Sequence, residues 1–151
     1  MGLKKWLYRG GRPNRVAGLI NGFWATVHSL GVAPNYLVTL EVPGRRSGRL
    51  TRRPLVMAVV GGERYLVSML GEQAAWVLNA KASGWNVTLR HGRREEIRLE
   101  EIPIDQRAPI LKAYLKRAPG ARPHIPVDKD AALEEFEKVS GRFPVFKVAA
   151  R

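Results

Sequence analysis

Residues 36–68 read YLVTLEVPGRRSGRLTRRPLVMAVVGGERYLVS, and the fold is decided there. Three runs rich in β-branched and aromatic residues, 36–42, 54–60 and 64–68, are parted by glycine-bearing turns, which predicts consecutive antiparallel strands. Gly61-Gly62 fits a two-residue hairpin, whose central residues need positive φ that glycine adopts without strain. Residues 44–48 form a longer turn loaded with arginine.

Toward the C-terminus the spacing alternates between helix and strand. Residues 74–82 read as a short helix closed by Ser83-Gly84, and 87–90 with 97–102 as a hairpin across His91-Gly92. Asp105 can cap a helix running through Ile110, Leu111, Tyr114 and Leu115 to Ala118, where Pro119-Gly120 breaks it. Three prolines in 119–126 predict an ordered loop, because neither helix nor central strand tolerates so many missing donors. A last helix, capped near Asp128 or Asp130 and reaching Val139, precedes a strand over 143–148.

Toward the N-terminus, Val16, Leu19, Ile20, Phe23, Trp24, Val27 and Leu30 recur at the spacing of one helix face, ended by Gly31 and Pro34. Six strands in hairpin order with helices set apart predict an α+β fold whose sheet can close into a barrel. The expected organisation is one compact unit: an amphipathic helical segment over 1–34 ahead of a barrel over 35–151.

Composition narrows the function. With 26 Lys and Arg against 13 Asp and Glu, the chain carries a formal net charge of +13 and attracts anions: nucleic acid, acidic lipid headgroups or phosphorylated cofactors. Absence of cysteine excludes disulfides, thiolate metal sites and cysteine nucleophiles, and fits a cytoplasmic setting. His28, His91 and His124 are too scattered to suggest a metal site, and no catalytic triad or paired-carboxylate constellation is visible.

Charge is densest at Gly44-Arg45-Arg46-Ser47-Gly48-Arg49, continued by Thr51, Arg52, Arg53 and Pro54. Its glycines allow a tight turn with inward N–H groups, Ser47 adds a hydroxyl donor, and guanidiniums grip phosphate or carboxylate bidentately. A solvated basic hairpin tip is the plain alternative from composition alone. The turn joins two strands and lacks the Lys-Ser/Thr ending that opens a helix in a Walker loop, which argues against ATP hydrolysis.

Gly-Arg-Arg-Ser-Gly followed by a basic run and Pro54-Leu55, then a Gly-Gly hairpin, resembles the deazaflavin-dependent nitroreductase family. Trp76 and Asn79, after the Ser68-Met69-Leu70-Gly71 strand exit, repeat a second feature of that family at the right distance. The resemblance spans about residues 36–148. It implies a six-stranded antiparallel split β-barrel, like the FMN-binding split barrels, that uses coenzyme F-420, a deazaflavin with a phosphate and an oligoglutamate tail. It further implies that Arg45, Arg46, Ser47, Gly48 and Pro54, with Thr51, Arg52 and Arg53 beside them, hold the phosphate and tail. Ser68, Met69, Leu70, Gly71, Trp76 and Asn79 would lie along the deazaflavin rings, although periodicity by itself reads Trp76 as core. The chain departs from better-known members at Thr51, where they carry arginine, at Met69, where they carry lysine, and in lacking their late tyrosines.

The implied activity is hydride transfer from reduced coenzyme to a small organic acceptor: a quinone, nitro compound or activated alkene. A deazaflavin brings the hydride, so the protein need only position it and exclude water. His124, in the proline-rich loop, is the candidate proton donor, a surface histidine being the alternative.

Rival readings keep the barrel and change the ligand to FMN, haem or a fatty acyl group, or assign the charge to a nucleic-acid backbone. Nucleic acid is not expected, because Tyr36, Tyr65, Phe143 and Phe146 are too spread to form a stacking face. The N-terminal helix can cover an open end of the barrel. With Lys4, Lys5, Trp6, Arg9, Arg12 and Arg15 it can instead rest peripherally on an anionic membrane, at its cytoplasmic face. Monomer and homodimer are both compatible with these features.

Overall fold

A computed structural model describes residues 37–151; the predicted helix over 16–30 and the basic N-terminus lie outside the described residues. The decisive stretch forms β1 (Leu37–Pro43), β2 (Leu50–Val60) and β3 (Glu63–Val67), with φ of 59° at Gly61 and 78° at Gly62 closing the second hairpin. Helix α1 (Ala75–Ala82) leads into β4 (Asn86–Arg90) and β5 (Arg94–Glu101), and helices α2 (Ala108–Arg117) and α3 (Leu133–Val139) precede β6 (Val145–Ala150). Every pairing is antiparallel, and the order β1-β2-β3-β6-β5-β4 closes into a barrel. Closure removes the sheet edges that would otherwise invite pairing with another chain.

Alternation along the strands sorts side chains into two cores. Val38, Leu40, Leu66, Leu89, Ile97, Leu99 and Phe146 fill the barrel, together with Trp76, Val77 and Ala80 of α1, which stops one end. Neighbours of opposite parity, Ala58, Val67 and Val145, face outward and pack against Ile110, Leu111, Tyr114 and Leu115 of α2 and Phe136 of α3. Fully burying one such leucine contributes about 2 kcal/mol. The helical layer therefore covers the β2–β3–β6 wall. Arg107, 4% exposed, ties it down by donating to the carbonyls of Ile102 (2.8 Å) and Ser140 (3.0 Å) and to the Glu101 carboxylate (3.0 Å).

Several boundaries differ from the sequence expectation. β2 begins at Leu50, not at residue 54, so the basic run 50–53 is strand and Pro54 sits within it, opposite Thr39. Proline is tolerated because β2 pairs with β3 only from Met57 onward, leaving an open side that needs no donor from Pro54. β5 begins three residues early, at Arg94, again because charged residues continue the ladder. Asp105 lies in a 3-10 turn and does not cap α2, which starts after Arg107. α3 starts only at Leu133, and Asp128 instead accepts the Asp130 N–H (2.8 Å) to close a local turn.

Candidate functional site

The β1–β2 hairpin and α1 lie on the same end of the barrel, because β1 ends and β2 begins there while α1 follows the exit of β3. Between them opens a cleft of about 450 Å³ lined by Gly44, Arg45, Arg46, Ser47, Thr51, Arg53, Ala75 and Asn79. Three guanidiniums and no carboxylate line it, a donor set suited to an anion with several oxygens.

Local chemistry fixes the hairpin. The Gly44 N–H donates to the Arg49 carbonyl (2.7 Å) and the Gly48 N–H to the Gly44 carbonyl (2.9 Å), while the Ser47 hydroxyl accepts the Arg49 N–H (3.2 Å). A Cβ at Gly44 would come within 3.2 Å of the Ser47 hydroxyl and 3.3 Å of the Arg49 carbonyl, and Gly48 has φ of 74°. Both positions favour glycine, the first for space and the second for conformation. Asn79, 6% exposed, joins hairpin to helix: its Oδ1 accepts both the Arg45 N–H (3.0 Å) and the Arg45 guanidinium (2.9 Å).

Strand parity decides which basic residues reach the cleft. Thr51 and Arg53 share the face of Leu55 and Met57, which turns toward the barrel core. Arg52 takes the other face and donates to the buried Glu41 carboxylate (2.8 Å), which Arg90 (3.2 Å) and Arg94 (3.4 Å) also approach. Burial pushes that carboxyl up, but the hydrogen bonds from Arg52 and Arg90 and the charges of Arg90 and Arg94 outweigh it and hold Glu41 below its ordinary pKa. The Thr51 hydroxyl donates to the Val42 carbonyl (2.7 Å), so this residue shapes the hairpin base. Arg53, and not Arg52, is thus the cation next to position 51 that lines the cleft.

Of the expected residues, Arg45, Arg46, Ser47, Thr51, Arg53 and Asn79 come together in the cleft. Gly48 shapes the turn without lining it, and Pro54 shares the outward parity of Arg52. Ser68 is buried and its hydroxyl donates to the Gly71 carbonyl (2.6 Å), closing the strand exit, where Gly71 has φ of 92°. Met69 packs on the outer core and Leu70 on the barrel core. Trp76, 6% exposed, turns into the barrel edge-on to Phe146, with ring centroids 5.7 Å apart, as periodicity alone had read it. His124 belongs to the loop before α3, its N–H donating to the Ala121 carbonyl (2.9 Å), and it does not line the cleft. Two lining residues were not among the expected ligand contacts: Gly44, read only as part of the turn, and Ala75, which opens α1 and whose methyl group carries no chemical signal.

Phe143 and Phe146 are buried and Tyr65 is half-buried, so the rings weighed as a stacking face are not available as one among the described residues. Among those residues no helix is long and apolar enough to cross a membrane, and no cluster of His, Asp or Glu could hold a metal.

Solved structures share the fold at low identity. One described as a domain-swapped dimer is 18% identical, covering 89% of this chain and 93% of that one, with a TM-score of 0.54. A reductase dependent on reduced coenzyme F-420 (FDR-A) is 20% identical over 76% of this chain and 94% of its own, with a TM-score of 0.51. A heme binding protein from Mycobacterium smegmatis is 15% identical over 82% of this chain and 50% of its own, with a TM-score of 0.50. No curated protein matches the chain. The sequence pattern of the F-420H(2)-dependent quinone reductases matches residues 20–122. The chain therefore belongs to the F-420H(2)-dependent quinone reductase family and is an F-420-dependent oxidoreductase.

Proposed function

We propose that the cleft between the basic hairpin and α1 holds the phosphate and oligoglutamate tail of coenzyme F-420, and that the hydride acceptor is a quinone. The observation that carries this reading is the cleft's donor set, Arg45, Arg46 and Arg53 with the Ser47 hydroxyl and no opposing carboxylate. Each guanidinium offers a planar fork to phosphate or carboxylate oxygens, and the start of α1 at Ala75 adds the positive end of a helix dipole. A volume of about 450 Å³ suits a phosphorylated tail and leaves the ring system to the neighbouring surface of α1 and the 68–71 turn.

When bound, the reduced coenzyme supplies the hydride, which with one proton takes a quinone to its hydroquinone. This chain's residues bind and orient. Arg45, Arg46 and Arg53 fix the anionic end, and Trp76 seats α1 in the barrel from behind, so that the helix presents a rigid wall. Ser68 and Gly71 hold the strand exit in its tight turn beside that wall. The cofactor-binding unit is then the barrel of residues 35–151.

Equilibrium titration followed by deazaflavin fluorescence, with FMN in parallel, tests the reading. F-420 should bind at least tenfold more tightly than FMN, with affinity falling as salt is added, because the tail brings several charges where FMN brings one phosphate, roughly an extra 1.4 kcal/mol. Equal affinity for both, or tight binding of FMN alone, would transfer the site to the flavin reading. Turnover of a soluble benzoquinone faster than of a nitroarene identifies the acceptor class.

A further inference from the structure

Asn79 stands where the resemblance expects a residue beside the deazaflavin rings, yet its side-chain oxygen is already engaged. Oδ1 receives the Arg45 backbone N–H at 3.0 Å and the Arg45 guanidinium at 2.9 Å, across 34 residues of sequence. The side chain is 6% exposed, so water competes little for these bonds, and Arg45 itself remains exposed beyond them. We propose that Asn79 is a positioning residue for coenzyme capture: a neutral acceptor that fixes Arg45 over the cleft while leaving its positive charge uncancelled for the anionic tail.

The choice of residue type follows from electrostatics. A carboxylate at this place would hold the guanidinium at least as firmly and would also offset its charge, weakening what Arg45 offers to a phosphate. An apolar residue would leave the charge but free the side chain, so that each binding event would have to immobilise a long flexible arm. An amide avoids both losses. It uses one of the five guanidinium N–H groups, leaving the others for the ligand. The same contact pins the hairpin tip to α1, which is rooted in the barrel core through Trp76 and Ala80.

This inference rests on the proposed tail site, and the experiment separates the two. F-420 and the corresponding deazaflavin riboside without phosphate or tail are titrated against wild type, Asn79→Asp and Asn79→Ala, with melting temperature recorded for each. Asn79→Asp should keep the melting temperature and weaken F-420 about tenfold, the scale of one charge-assisted hydrogen bond, while the tail-less compound binds as to wild type. Asn79→Ala should weaken F-420 roughly three- to tenfold, the scale of ordering one long side chain. In an Arg45→Ala background the effect of Asn79→Ala on F-420 should shrink, leaving only the part carried by the surviving bond to the residue 45 backbone N–H.

Wild-type affinity for F-420 in Asn79→Asp, or equal losses for both compounds, overturns the proposal: the first leaves a purely structural bond, the second a contact with the rings. An undiminished effect of Asn79 substitution in the Arg45→Ala background overturns it as well, and the cycle remains informative if Asn79→Asp alone fails to fold. Wild type that binds the two compounds equally refutes the tail site itself, whatever the variants do.

Discussion

Replacing Glu95 with glutamine should cost stability near neutral pH and nothing in coenzyme affinity. Glu95 and Arg64 share the inward parity of Ile97 and Leu66 and meet past the end of β6, at the barrel end away from the cleft. Arg64 donates to both carboxylate oxygens, at 2.8 and 2.7 Å, and His91 lies 3.1 Å from one of them. The hydrogen bonds from Arg64 dominate; burial opposes them and His91 assists, and the net effect lowers the Glu95 pKa to about 2. Against the ordinary 4.5 this is about 3 kcal/mol, at about 1.4 kcal/mol per pH unit. Arg64 and Glu95 keep 31% and 26% of their side-chain exposure, so solvent screening reduces the expected figure to about 2 kcal/mol.

The sign is fixed by linkage. A carboxyl whose folded pKa is depressed contributes fully above its unfolded value, and that contribution is lost as pH falls from 4.5 through about 2. Urea unfolding of wild type and E95Q across this window, at constant ionic strength, isolates the residue from Glu41 and the other carboxylates. Wild type should be the more stable by about 2 kcal/mol at neutral pH, with the difference closing toward about pH 2. Curves that stay parallel down to that pH would refute the assignment, as would equal stability at neutral pH.

Strand parity predicts that Arg53→Ala weakens F-420 about tenfold while Arg52→Ala leaves its affinity within about twofold, although the two are adjacent, because Arg52 faces Glu41; fluorescence titration compares them. Arg107→Leu should lower stability by about 3 kcal/mol in denaturant unfolding, since several carbonyls and Glu101 lose a buried donor together. Gly48→Ala should cost about 1 kcal/mol by the same measurement, from φ of 74° alone, because a Cβ there meets nothing. His124→Gln should leave steady-state rates unchanged across pH, and a lost titration limb would instead return His124 to the mechanism.

The six strands were legible because most carry an apolar alternation that no helix could satisfy, and glycine-bearing turns marked where the hairpins reverse. What escaped was strand built from charged and polar residues. Residues 50–53 and 94–96 have the charge of loops, and only the partner strands, Glu41 opposite Arg52 and Leu89 opposite Glu95, make them ladder. The caps failed for the opposite reason: Asp105 lies inside a 3-10 turn and Asp128 closes a local turn at Asp130, so a good capping residue was present without a helix beginning there. At the site, the arginine hairpin was visible as composition, but which arginine enters the cleft depends on a register that spacing alone left open. Trp76 carries a signal of two kinds, since the motif places it beside the coenzyme and its spacing places it in the barrel core, where it packs.

The two walls of the cleft come from distant parts of the chain and meet through Arg45 and Asn79. A ligand gripped by both walls is recognised only by the completed barrel, so its occupancy weighs directly on the balance between native and unfolded protein. Saturation at about a hundred times Kd adds about 2.7 kcal/mol, equivalent to roughly a hundredfold smaller unfolded fraction. Cells poor in the coenzyme would accordingly clear this chain faster by proteolysis, and its abundance would track coenzyme supply without any dedicated regulator.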